Sequence, residues 1–244
     1  VLERLFEAGA SAVGFDLLFE APSSHGTDDD AAFAGALRRY RDRVALGVQV
    51  LSGRGPVASM SLLDLTPALQ PADQSLNRGL LNGSPDPDGV IRRRPGHSAA
   101  EMRQHLGSSV PDGLAKTLLE LANADINLDD KLLDLLDPYG PPGTIPTISI
   151  WELLDANAFL TIKKSGVLTD ATVLVGPTAA VFQDLHPAVF SGAQGMPGVE
   201  LHATEVANRL EDRSLRWIPA PPGWNLAMAV LVLVAGISTS RQER

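Results

Sequence analysis

Two apolar runs near the start of the chain, SAVGFDLLF at residues 11–19 and RVALGVQVL at 43–51, constrain its fold most. Both have the length and composition of strands. Between them lies APSSHGTDDD, a loop rich in turn formers, and then DDAAFAGALRRYR, a helical pattern with acids first and arginines last. That charge order suits the helix dipole, and Thr27 or Asp28 is the expected cap. Ahead of the first run, Val1, Leu2, Leu5 and Phe6 form a short helical face that Gly9 ends. Helix, strand, helix, strand predicts an α/β fold with a mainly parallel or mixed central sheet flanked by helices.

The rest of the chain is less regular at first. Pro56, Pro67 and Pro71 interrupt residues 52–79, and a turn-rich loop at 82–89 is expected to feed a short strand at Val90–Arg93. GLAKTLLELAN has helical apolar spacing. SIWELLDAN reads as a short helix with a capping box, Ser149 at the cap and Glu152 three positions on. TVLVG reads as a buried strand leading into the loop GPTAAVFQD. A last helix spans Val199–Leu210, with Val199, Ala203, Val206, Ala207 and Leu210 on its apolar stripe. There is no internal repeat.

At 244 residues the chain can bury a substantial core, and 44% hydrophobic with 20% charged residues is ordinary for a globular protein. Net charge is −9, and the one basic triplet, Arg92–Arg94, is too short to track a phosphate backbone. No nucleic-acid partner is expected. The absence of cysteine excludes disulfides, Cys–zinc sites and thiol nucleophiles. Val1 starts inside a helical pattern with no initiator Met, and Arg244 follows closely on an apolar run, so both ends read as cuts in a longer protein.

That run, Leu226–Ile237, has twelve residues without a charged or strongly polar side chain, and Trp224–Ser240 has seventeen without a charge. A spanning helix needs roughly 20 residues, with a lower limit near 17. Trp217 and Trp224 precede it as interfacial anchors, and Pro219, Pro221 and Pro222 stiffen the approach. The expected organisation is a folded domain at 1–216, a Pro-rich spacer at 217–223, and the start or whole of a transmembrane helix at 224–240. The lipid bilayer is thus an expected partner.

The common hydrolase, zincin and nucleotide-loop signatures are absent, and neither a metal nor a cofactor is expected. Asp16 ends a strand, where open α/β sheets bind ligands. With Glu20 and Asp28–Asp30 it can form a cation site, although a capped helix and solvated loop account for the same residues. A haloacid-type phosphatase needs a second Asp where Leu18 stands. PDPDG lacks the bidentate Glu of a calcium loop and reads as a tight turn. Asp184 and His186 form a possible polar pair. Glu200 and His202 point to different sides of a helix, whereas His202 and Glu205 share one. A structural role for His202, bonding a loop carbonyl, is the expectation.

Six stretches occur in one order: GASAVGFDLLF, DDDAAFAGAL, GLLNGSPDPDGVIRRRP, YGPPGTIPTISIWELL, ATVLVGPTAAVFQDLHPAVF and MPGVELHATEVANRL. That order resembles the type-two CHASE domain, a sensory extracellular module associated with bacterial cyclases and histidine kinases, over about residues 1–215. The resemblance implies a receptor domain outside the membrane, with residues 1–216 extracytoplasmic. It also implies an output by an adenylate or guanylate cyclase, a serine/threonine kinase or a histidine kinase. It carries over no catalytic residue. By motif position, Asp16, Asn82, Asp184 and His202 are the candidate ligand-binding residues, and Asp88, Arg92 and Glu200 the candidate structural ones. A small molecule or ion is the expected ligand, in a pocket near Asp16 and the Gly176–Asp184 loop. A homodimer within the full-length receptor is also expected. The rival readings are a membrane-tethered, metal-dependent hydrolase using Asp16, Asp184 and His202, and a ligand-free structural or dimerisation module.

Overall fold

The computed structural model describes residues 1–53, 59–70, 75–125 and 135–213, with positions 215, 221, 223, 224, 228, 229 and 232 beyond them. Helix α1 (Leu2–Glu7) leads into β1 (Ala12–Leu18), α2 (Thr27–Arg39) and β2 (Val44–Ser52), the order read from the sequence. β1 and β2 pair in parallel, as a helical crossover requires. β5 (Thr172–Val175) pairs in parallel with the other edge of β1. β2 then has two partners along its far edge. Residues 45–48 pair in parallel with β4 (Asn77–Leu80), and residues 49–52 pair antiparallel with β3 (Met60–Leu63). The result is a five-stranded mixed sheet with β1 and β2 at its centre.

Both faces of that centre are covered, which is why the two opening runs lack polar alternation. On one face, Val13, Phe15, Leu46 and Val48 pack with Leu2, Leu5 and Leu37 of α1 and α2. Leu153 of α5 (Ile150–Leu154) and Phe159 of α6 (Ala156–Ser165) join the same cluster. On the other face, Ala12 and Ala45 meet Leu114 and Leu118 of α4 (Leu114–Leu121). A further cluster joins Val50 and Leu80 to Ala99 of α3 (Ala99–Leu106) and to Val110. Two helical layers around a sheet is the expected class.

Close approach demands glycine at one place in particular. A Cβ on Gly79 would lie 2.5 Å from the backbone Cα of Leu114, so α4 sits on β4 only because that side chain is absent.

Several local expectations need correction. The cap of α2 is Gly26, at φ 112, and Thr27 and Asp28 lie inside the helix. Asp30 is occupied otherwise, its carboxylate accepting the Ser23 N–H at 3.0 Å. Val90–Arg93 does not form a strand but makes isolated bridges, Ile91 to Pro85 and Ala188, and Arg93 to Leu135. The Ser149–Glu152 capping box is present, yet the helix it opens ends at Leu154. Asp155 then caps a second helix, α6, accepting from the N–H groups of Asn157 and Ala158. β3 and β4 lie in or at the end of the stretch read as irregular, and α3 in one to which the sequence reading assigned no element.

The last elements close the α4 face. β6 (Leu185–His186) pairs antiparallel with β7 (Met196–Pro197), which runs into α7 (Gly198–Leu210). Among the described residues no helix is long and apolar enough to cross a membrane. Most of Leu226–Ile237, with Trp217, Pro219 and Pro222, lies outside the described residues.

A buried polar cluster as candidate functional site

Ala12, Gly14 and Asp16 alternate along one face of β1, the face that α4 and α7 cover. The β1–β2 register shifts between Phe15 and Leu18, so Asp16 lies in an irregular part of the strand. Bulged strands commonly re-aim side chains beside functional sites. Asp16 is only 8% exposed. Gly176, just after β5, stands close beside it: an added Cβ there would come within 3.1 Å of the Asp16 Cβ.

Helix α7 supplies the other half of the site. Its anticipated apolar stripe is only partly realised: Val199 and Val206 are buried, but Leu210 is half exposed. Polar residues take the protected positions instead. His202, Glu205, Asn208 and Arg209 are all nearly inaccessible to solvent. The His202 Nε2 stands 3.8 Å from the Asp16 Oδ1, and its Nδ1 has no protein partner. The imidazole therefore faces a carboxylate of β1 rather than a loop carbonyl. One turn on, the Arg209 Nε and Nη2 both donate to the Glu205 Oε1, at 3.0 and 2.9 Å. The Glu205 Oε2 and the Asp16 Oδ2 are buried without a protein partner. Arg94 adds positive charge near Glu205.

The loop after β5 completes the cluster. The Asp184 carboxylate pairs with the His186 Nε2 at 2.9 Å, as the sequence pair suggested. It also lies against the Cα of Gly198, where any Cβ would be within 2.6 Å of an oxygen. That places a negative group at the first turn of α7, where the helix dipole favours it. The electrostatics follow from this geometry. Burial pushes the Asp16 carboxyl up; His202 opposes that and Asp184 reinforces it. Burial likewise raises Glu205, against the pull of Arg209 and Arg94. The Asp184 hydrogen bond raises His186.

Three of the four candidate binding residues, Asp16, Asp184 and His202, thus belong to one electrostatic neighbourhood. Asn82 does not join them: its amide accepts the Val50 N–H at 2.7 Å and donates to the Val50 carbonyl at 2.9 Å, continuing the edge of β2 beyond β4. Of the remaining three, Arg92 clamps Asp86 and Asp88 across the PDPDG turn, at 3.0 and 2.7 Å. Gly89 closes that turn at φ 82, and Arg92 holds Asp88 down to about 2. Glu200 faces outward and accepts N–H bonds from Gly143 and Ile145, at 2.9 and 3.4 Å. Sequence reasoning weighed Glu205 only as a neighbour of His202, and it missed Arg209 and Arg94. The signal for Arg209 was its i,i+4 spacing from Glu205 on a helix that also carries His202.

A shallow cleft beside the cluster, lined by Ile91, Leu136, Ala188, Met196 and Leu201, has room for about one water, roughly 10 Å³. Among the described residues no group of three or more His, Asp or Glu side chains is placed to hold a metal ion. Comparison with protein families gives one assignment: the model described as the CHASE2 domain matches residues 1–237. No curated protein and no solved structure matches the chain.

Proposed function

The chain belongs to the CHASE2 family, a family of sensory extracellular receptor domains, and from that premise we propose that residues 1–216 are the extracytoplasmic sensor of a bacterial transmembrane receptor. The stimulus acts at the Asp16–Asp184–His202 cluster. The signal leaves along α7 toward residues 217–223 and a membrane segment within 224–240. The output is a cyclase or a protein kinase elsewhere in the receptor.

One observation carries this reading: the helix that holds the buried charges is also the helix that delivers the chain to the apolar run. At its far end α7 is tied down by polar contacts. Asn208 accepts the Asp137 N–H at 2.8 Å and donates to the Asp137 carbonyl at 2.9 Å. Arg213 pairs with the Asp137 carboxylate at 2.6 Å and stacks over the Tyr139 ring at 4.3 Å. Tyr139 in turn donates to Glu211 at 2.8 Å. Leu215 bridges back to Leu135. A stimulus that favours one arrangement of the cluster biases this end by its differential affinity for the two positions, and by nothing else.

The lack of cysteine makes the topology directly testable, since one introduced thiol is unique within residues 1–244. A full-length receptor carrying Leu160→Cys, at a half-exposed position of α6, should react with a membrane-impermeant maleimide in intact cells. The same receptor carrying Gln242→Cys instead should react only after permeabilisation, with the unsubstituted receptor as background. Labelling of the Leu160→Cys receptor only after permeabilisation would sink the proposal.

A further inference from the structure

We propose that the stimulus read by this cluster is the proton activity of the compartment it faces, with α7 as the part that responds. The inference rests on the sensory reading and names its ligand.

The geometry favours a proton over a larger ligand. Asp16, His202 and Glu205 are 8%, 2% and 0% exposed, so any molecule larger than water would have to open the packing to touch them. A proton needs no cavity. His186 gives it an entry, being 40% exposed at its side chain and bonded to Asp184. Asp184 adjoins the first turn of α7 and lies within electrostatic reach of Asp16. Asp16 faces His202, and His202 and Glu205 are one turn apart on α7. A series of titratable groups thus runs from the surface into the helix. The Asp16 Oδ2 and Glu205 Oε2 are the buried oxygens that accept no hydrogen bond from the protein, and so the atoms open to a proton.

Other charges bear on these groups. α7 itself contributes Arg209, and the segment before α3 contributes Arg94. α4, packed against α7, carries Glu120 and Lys116, the latter paired with Asp112 at 2.9 Å. β2, β5 and β7 present no titratable side chain to the site.

The sign is the same for all three shifted groups. Asp16 and Glu205 are raised by burial, and His186 by its bond to Asp184. The folded state therefore holds these protons more tightly than the unfolded chain does. Their stabilisation is complete below the unfolded values and is lost as pH rises through the folded ones. Asp88 and Asp112 are lowered by their partners and act oppositely, but only as pH falls into the acid range. Across mild acid to mild alkali, α7 should loosen as pH rises.

Hydrogen exchange of the full-length receptor in detergent, corrected for intrinsic rates and followed from about pH 5 to pH 8, tests this. Protection of residues 199–210 should fall severalfold with rising pH, while residues 27–39 of α2 stay level. The dependence should weaken in Asp16→Asn and Glu205→Gln, which keep shape and remove the titration. It should also weaken in His186→Gln, whose partly exposed site spares the core if Glu205→Gln fails to fold. A level profile for α7 in the wild type overturns the inference. So does a slope that persists unchanged in all three variants. Either result leaves the cysteine labelling free to uphold or reject the sensory reading on its own.

Discussion

Arg209→Ala is expected to destabilise the domain by about 3–5 kcal/mol, the usual consequence of removing one partner of a buried ion pair. The guanidinium is 2% exposed and the Glu205 carboxylate 0%, so the change leaves a buried carboxylate without the two hydrogen bonds it accepts from Arg209. For a domain of this size the loss corresponds to a fall in Tm of roughly 6–20 °C. The deficit should be smaller at mildly acid pH than at alkaline pH. Burial already raises Glu205, and without Arg209 the carboxyl can take up a proton and shed its charge. Replacing both residues together, as Glu205→Leu with Arg209→Met, should cost less than the single change, because neither member of the pair is left charged without the other. Denaturant titration of the two variants and the wild type at two pH values checks all of this. A loss for Arg209→Ala below about 1 kcal/mol, the value of an exposed pair, would mean that the pair is not buried in solution.

The second large effect is steric. Gly176→Val should destabilise by about 1–3 kcal/mol or more, since overpacking forces neighbours off their rotamers. An added Cβ would stand 2.7 Å from the Val199 Cβ and 3.1 Å from the Asp16 Cβ. Neither neighbour can yield at its far end, because both contacts are made at the first side-chain atom. The substitution would therefore wedge α7 away from β1 and separate His202 from Asp16. Gly35→Ala is the matched control: on the α2 surface its Cβ meets only the tip of Arg38, at 3.9 Å. That change should stabilise by roughly 0.5–1 kcal/mol, as replacing a helical glycine usually does. Thermal unfolding of the two variants in parallel separates a general effect of side-chain addition from the wedge.

Much of this architecture is legible in the sequence. The runs that became β1 and β2 are apolar because both their faces are covered, and the crossover between them carries charges in dipole order. The Ser149–Glu152 box and the spacing of Leu114, Leu118 and Leu121 are equally local signals. β3, β4 and α3 escaped for a physical reason. β4 reads NRGL, with a polar residue at its start and Gly79 where α4 presses on the sheet, so its burial comes from a distant element. Asp155 was read as the tail of a helix because its extended backbone, which lets it cap α6, leaves no mark in apolar spacing. α7 is the clearest case. Periodicity assigned its stripe to Val199, Ala203, Val206, Ala207 and Leu210. That count cannot register the segments around Arg94 and Asp137, which close over the polar side and bury Glu205, Asn208 and Arg209.

The same contrast applies to the site. Asp16, Asp184 and His202 stood out by motif position in the family resemblance, Asp16 also as a strand-end residue and Asp184 as half of an Asp/His pair, and the fold brings them together. Asn82 stood out equally, but its amide serves as a continuation of the β2 edge. Local sequence looks alike for these two uses of a polar residue after a strand, and the three-dimensional partners separate them.

The claim at the centre of this account is that the charge state of the Asp16–His202–Glu205 cluster sets where the far end of α7 lies. Its most direct test is the distance between nitroxide labels at Leu210, on the last turn of α7, and Leu160 of α6, both about half exposed. Electron spin resonance should show the distribution move by about 1–2 Å, the scale of helix shifts in switching proteins, between the wild type and Asp16→Asn at a single alkaline pH. Superimposable distributions in the two proteins, with both folded, would contradict the account.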